Sequence, residues 1–327
     1  KMQAGIRDTI AQQIGHTLAR TDFDWLGRKY EGKVRDNYSA GDRRFIIVTD
    51  RLSAFDRVIA PIPFKGQVLN EMAAFWFERT GSIVKNHMLA MPDPNAMVVR
   101  ECQPLPIEVV VRAYLTGVTS TSIWTQYQQG ARVFCGHKLA DGMVKNQPLP
   151  EPIVTPSTKA EKGGHDESVS AEEIVRRGLL SPELMEQVSE VSLALFRFGS
   201  ELLAKHNLIL VDTKYEFGLC NGELVLIDEI HTPDSSRFWI RDTYEERFAR
   251  GEEPEKIDKE YLREWLASQG FRGDGEIPEI PTEVIVETAY RYLSAAERIM
   301  GRELDLQVGD VASRLEANLR RFLSEGR

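Results

Sequence analysis

From residue 208 to residue 227, apolar and polar positions alternate in two runs separated by Asn221-Gly222. That dipeptide suits the two positive-φ sites of a type I′ turn, so the pattern predicts an antiparallel hairpin. Successive side chains of a strand point to opposite faces, which puts Ile209, Val211, Thr213, Tyr215, Phe217 and Leu219 in one mostly apolar row. Asp212, Lys214 and Glu216 share the other row, beyond Leu208 and Leu210. One face packs, and the other is left for chemistry. A two-residue turn pairs Cys220 with Glu223 and therefore Lys214 with Glu229, leaving Asp228 opposite Tyr215; a bulge would exchange the two acids.

Elsewhere the periods are helical as well as strand-like. Ile6, Ile10, Ile14 and Leu18 recur every four residues and mark a short amphipathic helix over 3–19. Residues 30–38 and 44–50 read as a second hairpin around Ser-Ala-Gly-Asp, in which Lys33 and Arg35, two apart, point the same way and Gly32 admits a ligand close to the backbone. A helix over 67–80 carries Val68, Leu69, Met72, Phe75 and Trp76 as a core stripe. Ile107 to Val111 reads as a buried strand, and the Gly, Thr and Ser run after it opens a helix over 123–129, gathering N–H groups and hydroxyls at a positive helix end.

Proline and glycine punctuate residues 148–170, which are expected to form a long polar loop, either disordered or a lid. Within it Lys159, Lys162, His165, Asp166 and Glu167 make a mixed-charge cluster too irregular for zinc. Ser170 with Glu173 forms a capping box, and Ser181-Pro182 opens a long helix to His206. Four further amphipathic helices, over 244–250, 256–269, 282–300 and 311–324, are expected to buttress the larger domain or a subunit contact. A hinge near Cys102–Pro106 divides the chain into a smaller β-rich domain, 1–104, and a larger α/β domain, 105–327.

Composition narrows the class. The 327 residues are 42% hydrophobic and 28% charged, as in ordinary globular proteins. A net charge of −9 argues against nucleic acid or an anionic membrane as partner, because both need a positive field. The three cysteines are widely spaced, so neither a disulfide framework nor a zinc site is indicated. There is no run of 18 apolar residues and no basic leader before an apolar core, which together predict a cytoplasmic protein. A monomer or small homo-oligomer is expected.

The charged hairpin carries the candidate chemistry. Aspartate is depleted in strand interiors, yet acids alternate around Lys214, and Asp228-Glu229 ends the partner strand just before Pro-Asp-Ser-Ser-Arg. Carboxylates converging on a lysine suit Mg²⁺ and phosphate oxygens. Neither a Walker A motif nor GxGxxG is present. Thr49 to Asp56 is a dense Asp/Arg/Ser segment at the end of a strand, a common place for substrate contacts. Arg112, at the end of the 107–111 strand, offers a bidentate grip on an anion.

Leu210-Val211-Asp212-Thr213-Lys214-Tyr215-Glu216-Phe217-Gly218 is similar to one signature of the SAICAR synthetase (phosphoribosylaminoimidazole-succinocarboxamide synthase) family. Leu105-Pro106-Ile107-Glu108-Val109-Val110-Val111-Arg112-Ala113-Tyr114-Leu115-Thr116-Gly117 resembles the other. The resemblance runs from about Tyr30 to Trp239 and implies a two-domain, ATP-grasp-like α+β fold, with antiparallel sheets and flanking helices. It also implies an ATP- and Mg²⁺-dependent ligase joining CAIR, a phosphoribosyl aminoimidazole carboxylic acid, to L-aspartate through an acyl phosphate.

Carried over residue by residue, the resemblance gives Lys214, Asp212 and Lys159 catalytic roles. Gly32, Lys33, Arg35 and Glu216 bind ATP, and Glu216 with Asp228 or Glu229 holds the metal. Asp50, Ser53, Arg112, Ser120, Asp166, Ser236 and Arg237 bind substrates. Two other readings compete with it. One is a different ATP-grasp-like carboxylate ligase or kinase, which would lack the Arg112 and Arg237 grips; the other is a catalytically silent nucleotide-binding protein, which would lack Lys33, Glu216 or the acidic pair.

Overall fold

The structure is a computed structural model that describes residues 5–160, 166–257 and 260–327. Contacts divide the chain into two compact units, one of residues 1–78, 87–101 and 258–327, the other of residues 79–86 and 102–257.

The first unit begins with helix α1 (Ile6–Gln13) and continues through β1 (Arg28–Glu31), β2 (Arg35–Ala40), β3 (Arg43–Val48), β4 (Arg51–Ala54) and β5 (Arg57–Pro61) to helix α2 (Lys65–Thr80). With β6 (Met88–Asp93) and β7 (Ala96–Arg100), the larger sheet has the order β1-β2-β3-β7-β6, every pair antiparallel, while β4 and β5 form a separate hairpin. The expected hairpin over 30–50 is therefore two. Gly32 N–H donates to the Arg35 carbonyl at 2.8 Å and closes a tight turn between β1 and β2. Lys33 sits on that turn, so it shares no strand row with Arg35.

The second unit is organised around a 13-residue strand. In chain order it holds β8 (Gln103–Pro104), β9 (Ile107–Tyr114), α3 (Ile123–Gln128), the ribbon β10 (Val133–Phe134) and β11 (His137–Lys138), and β12 (Pro148–Thr158). There follow β13 (Glu167–Ser168), α4 (Ala171–Arg176), α5 (Pro182–Ala204), β14 (Leu208–Cys220), β15 (Glu223–Ile227), β16 (Ser236–Ile240) and α6 (Tyr244–Ala249). Strand β14 pairs antiparallel with β9, β15, β16 and β8.

Strand β12 departs from the sequence expectation. The prolines of residues 148–158 predict a loop, but these residues pair with β9 from Ile153↔Arg112 to Thr158↔Ile107, after a register break between Pro148 and Ile153. Among the described residues only the two of β13 lie beyond β12, and such a near-edge position with a bulge tolerates proline. Lys162 and His165 lie outside the described residues. The helix signals are realised as capping bonds: Ser170 accepts from Glu173 N–H and Ser181 from Leu184 N–H.

Helices α7 (Glu260–Ser268), α8 (Thr282–Met300) and α9 (Val311–Ser324) group with the first unit, whereas the hinge inferred from the sequence places them in 105–327. The reason is hydrophobic. Val311, Leu315, Leu319 and Phe322 recur on one face of α9 and are buried in one cluster with Tyr38, Phe45, Ile47 and Val98 of the sheet. Burying four such side chains is worth roughly 1.5–3 kcal/mol each, before conformational entropy is subtracted. Among the described residues no helix is long and apolar enough to cross a membrane.

Candidate active site

Strand β14 sorts its residues as the alternation requires: Val211, Thr213, Tyr215 and Phe217 are buried, while Lys214 and Glu216 are half-buried on the other row. Asn221 (φ 54°) and Gly222 (φ 78°) form the expected turn, and Cys220 pairs with Glu223. The register holds as far as Glu216↔Ile227, where β15 ends. Asp228 then takes a left-handed φ of 67°, and its carboxylate comes 3.9 Å from Lys214 Nζ. Lys214 thus faces Asp228, and the expected pairing with Glu229 is not formed.

Lys214 Nζ also lies 3.3 Å from Glu216 and 4.0 Å from Glu108 of β9, and Lys159 Nζ lies 2.9 Å from Glu216. Burial alone would lower the Lys214 pKa, but Asp228, Glu216 and Glu108 outweigh it and hold the ammonium above the ordinary lysine range. Glu216 is pushed up to about 7, first by burial and then by hydrogen bonding and repulsion from Asp228, against the opposing pull of Lys214 and Lys159. Among the described residues three carboxylates meet two ammonium groups here. The surplus negative charge is what a proton on Glu216 or a bound cation would neutralise.

No group of three or more His, Cys, Asp and Glu residues gathers as a metal cage among the described residues. Glu216 and Asp228 are nonetheless a fitting pair for Mg²⁺, which is commonly bound by one or two carboxylates, waters and phosphate oxygens.

Two residues earlier on β14, Asp212 sits opposite Arg112 on β9 and Arg237 on β16. Arg237 grips Asp212 through both carboxylate oxygens, at 2.8 and 3.1 Å. Arg112 donates from Nε to Thr155 Oγ1 at 3.0 Å, its guanidinium lies 5.4 Å from the Phe134 ring centre, and burial lowers its pKa from the usual value. Ser236 Oγ is 2.7 Å from Thr213 Oγ1, and Gly117 passes so close to Ser122 that a Cβ there would clash at 2.4 Å. Ser122 is tied into this turn by Thr119, whereas Ser120 is exposed. Helix α3 spans only six residues, so any anion grip at this end rests chiefly on the two arginines.

In the first unit the Lys33 side chain is 61% exposed, and its Nζ bridges to Asp56 at 2.8 Å. Asp50 is not presented to solvent: it is buried, and its two oxygens accept from Leu18 N–H and Gly66 N–H, each at 2.8 Å. Burial pushes its carboxyl up to about 6 against those two bonds. It ties the start of α2 to the chain before β1. Ser53 is half-buried on β4, and Asp166 accepts from Ala160 N–H at 2.7 Å.

Three residues to which the sequence alone assigns no such role now matter. Glu108 shares the β9 row with Arg112, a period-two signal present in Ile-Glu-Val-Val-Val-Arg. Thr155 lies in the stretch expected to be loop. Arg51 belongs to the segment expected to contact substrate but is buried, and no local pattern marks its partners.

A family model described as SAICAR synthetase matches residues 28–279. A Legionella pneumophila (strain Paris) protein named phosphoribosylaminoimidazole-succinocarboxamide synthase is 49% identical over 302 residues, covering 91% of this chain and 96% of its own length. A chloroplastic Arabidopsis thaliana protein of the same name is 48% identical, over 92% and 73%. Among solved structures, SAICAR synthase from Saccharomyces cerevisiae complexed with SAICAR superposes with a TM-score of 0.77 at 29% identity, covering 89% of this chain and 100% of that one. A type-2 SAICAR synthetase in complex with ADP gives 0.63 at 25% identity, covering 85% and 100%.

Proposed function

This chain belongs to the SAICAR synthetase family, and from that premise we propose that the charged row of β14 serves the ATP-driven joining of CAIR to L-aspartate. The reaction is a carbon–nitrogen ligation of purine biosynthesis that yields SAICAR, ADP and phosphate. The observation that carries the residue assignment is the layout of one strand: Lys214 among three carboxylates, and two residues away Asp212 between Arg112 and Arg237.

A carboxylate is a poor electrophile, being anionic and without a leaving group. An oxygen of the CAIR carboxylate attacks the γ-phosphorus of ATP, the bond to the bridging oxygen breaks, and ADP departs. The amine of aspartate then attacks the acyl carbon, loses a proton, and expels phosphate. Negative charge collects throughout. Lys214 and Lys159 stabilise it as fixed ammonium groups in a partly dehydrated setting, where preorganised charge is most effective.

Glu216 and Asp228 would hold Mg²⁺, which when bound neutralises phosphate charge and orients the transferring group. Arg112 and Arg237 grip the ribose 5-phosphate, with Ser235 and Ser236 presenting Arg237, and Ser120 and Asp166 lie beside the same substrate. Asp212 accepts from the imidazole amine or a ribose hydroxyl. In the first unit, Gly32, Lys33 and Arg35 bind nucleotide phosphates, and Ser53 contributes from β4. No covalent enzyme nucleophile is needed: Cys135 is pushed up to about 11 by burial, which leaves it a thiol.

The test is ADP release from Mg²⁺-ATP with CAIR and aspartate together and with each omitted. Turnover is expected only with both. ADP release that ignores aspartate would make the protein a carboxylate kinase, and nucleotide binding without ADP release would make it a silent binder.

A further inference from the structure

We propose that Arg51, buried beneath the turn between β1 and β2, is a positioning residue that fixes the peptides of Gly32, Lys33 and Val34, so that the Lys33 ammonium and the amide N–H groups of Lys33 and Val34 face the nucleotide phosphates together. The proposal rests on the reading of Lys33 as a phosphate-binding residue.

Three successive carbonyls of the turn are held on one side. The Gly32 oxygen accepts from Arg51 Nη2 at 2.8 Å and the Lys33 oxygen from Arg51 Nε at 3.0 Å. The Val34 oxygen accepts from Thr49 Oγ1 at 2.7 Å and from Thr49 N–H at 3.1 Å. Arg51 is itself held in place. Its remaining donors reach the Ala19 carbonyl at 3.1 Å and Asp36 Oδ1 at 2.9 Å. Asp36 is fully buried and takes two more bonds, from the N–H and hydroxyl of Thr21, each at 2.8 Å.

In a planar trans peptide the C=O and the following N–H point in opposite directions. Gly32 and Lys33 carbonyls drawn inward therefore turn the Lys33 and Val34 N–H groups outward. Successive N–H groups on the outer side of a turn make a concave anion seat. The planar fork of Arg51 is suited to this. It satisfies two adjacent carbonyls and a carboxylate at once, which a lysine ammonium on a flexible stem cannot do.

Arg51→Lys keeps a positive charge for Asp36 but cannot hold both carbonyls. The expected result is a rise in KM for ATP of about tenfold, the loss of one or two charge-assisted hydrogen bonds' worth of ordering, with kcat and the KM values for CAIR and aspartate within about twofold. Lys33→Ala is measured beside it, and the double variant should raise KM for ATP no further than the larger single effect, because Arg51 acts through the turn that carries Lys33. Thr49→Val loosens the Val34 carbonyl while leaving every buried charge paired. It is expected to raise KM for ATP about threefold, and it decides the matter alone if Arg51→Lys does not fold. If Lys33→Ala leaves KM for ATP unchanged, the phosphate reading beneath the proposal fails. If Lys33→Ala raises it while Arg51→Lys and Thr49→Val do not, or if all three substrates' KM values rise together, the positioning role is overturned and Arg51 is merely structural.

Discussion

Lys214 and Lys33 are the two lysines we assign to the chemistry and the binding of ATP, yet the protein controls them by opposite means. Lys214 lies within a strand, about one-third exposed, and its ammonium is directed by the side chains of Asp228, Glu216 and Glu108. Lys33 lies on a turn, 61% exposed, with the carboxylate of Asp56 beside it, and what is fixed there is the main chain. A lysine embedded among carboxylates is rigid, strongly charged and suited to a transition state. A lysine on a braced turn is free to reach a mobile polyphosphate. The first arrangement should govern kcat and the second the affinity for ATP.

The largest effect expected from that contrast is at Lys214. Lys214→Ala should lower kcat for ADP release by roughly 10²–10³-fold, the usual consequence of deleting a preorganised charge at a reacting centre. KM for ATP should move far less. A kcat close to that of the native protein would erase the distinction between the lysines. Next comes Lys33→Ala, which removes a charge-assisted contact of about 1.5–3 kcal/mol and so should raise KM for ATP roughly 10–100-fold, with kcat changed little. Steady-state titrations of ATP at saturating CAIR and aspartate separate the two outcomes.

The contrast also explains which parts of the site are legible in the sequence. The Lys214 row follows from period-two alternation and an Asn-Gly turn, both local, so the sequence alone places Asp212, Lys214 and Glu216 on one face. It does not place Asp228, because a single left-handed residue after Ile227 ends the register and exchanges the two acids. Glu108 is in plain view but needs the pairing of β9 with β14 to bring it to Lys214. Around Lys33 the decisive contacts are carbonyl oxygens bound by a guanidinium 18 or more positions along the chain, and carbonyls carry no residue identity. Gly32-Lys33-Val34 therefore reads as a strand when it is a turn, and β2 begins only at Arg35. Prolines mislead in the same way at β12, where tertiary pairing overrides a local loop signal.

Beneath Lys214 the support is a buried neutral pair, and its cost is pH-dependent. Tyr215, on the opposite face of the strand, has its hydroxyl 2.6 Å from His231 Nε2. Helix α5 makes room with Gly199, where a Cβ would come within 2.6 Å of the imidazole. Burial lowers the His231 pKa to about 3. Below the unfolded value of about 6.5 the unfolded chain takes up a proton that the native state refuses, so stability is complete above that pH and falls as pH drops toward 3. The loss is about 1.4 kcal/mol for each pH unit in that window. His231→Gln keeps a partner for the tyrosine and removes the titration. Its melting temperature should accordingly fall less than the native one between pH 6.5 and pH 5.5. Equal falls in the two proteins would assign the acid sensitivity to other groups.

The smallest effect concerns Asp56, and it sharpens the difference most directly. Its turn between β4 and β5 places Phe55 at φ 52° and Asp56 at φ 59°, a conformation that costs a bulky residue of order 1–3 kcal/mol. The surroundings hold it there: the Phe55 ring meets Phe271 edge-on with centres 6.1 Å apart, and Arg57 donates to the Gly273 carbonyl at 3.0 Å. The strained turn delivers the Asp56 carboxylate to Lys33, where, on the proposed reading of that lysine, it would give way to phosphate. An exposed ion pair of this kind is weak, so releasing Lys33 from it should improve ATP binding by only about two- to threefold. Asp56→Asn tests this cleanly, since asparagine accepts the left-handed backbone. KM for ATP should fall with kcat unchanged, and the gain should shrink as added salt screens the native pair. Were KM to rise instead, Asp56 would be helping Lys33 hold its ligand, and the exposed lysine would be as dependent on a neighbouring carboxylate as the embedded one.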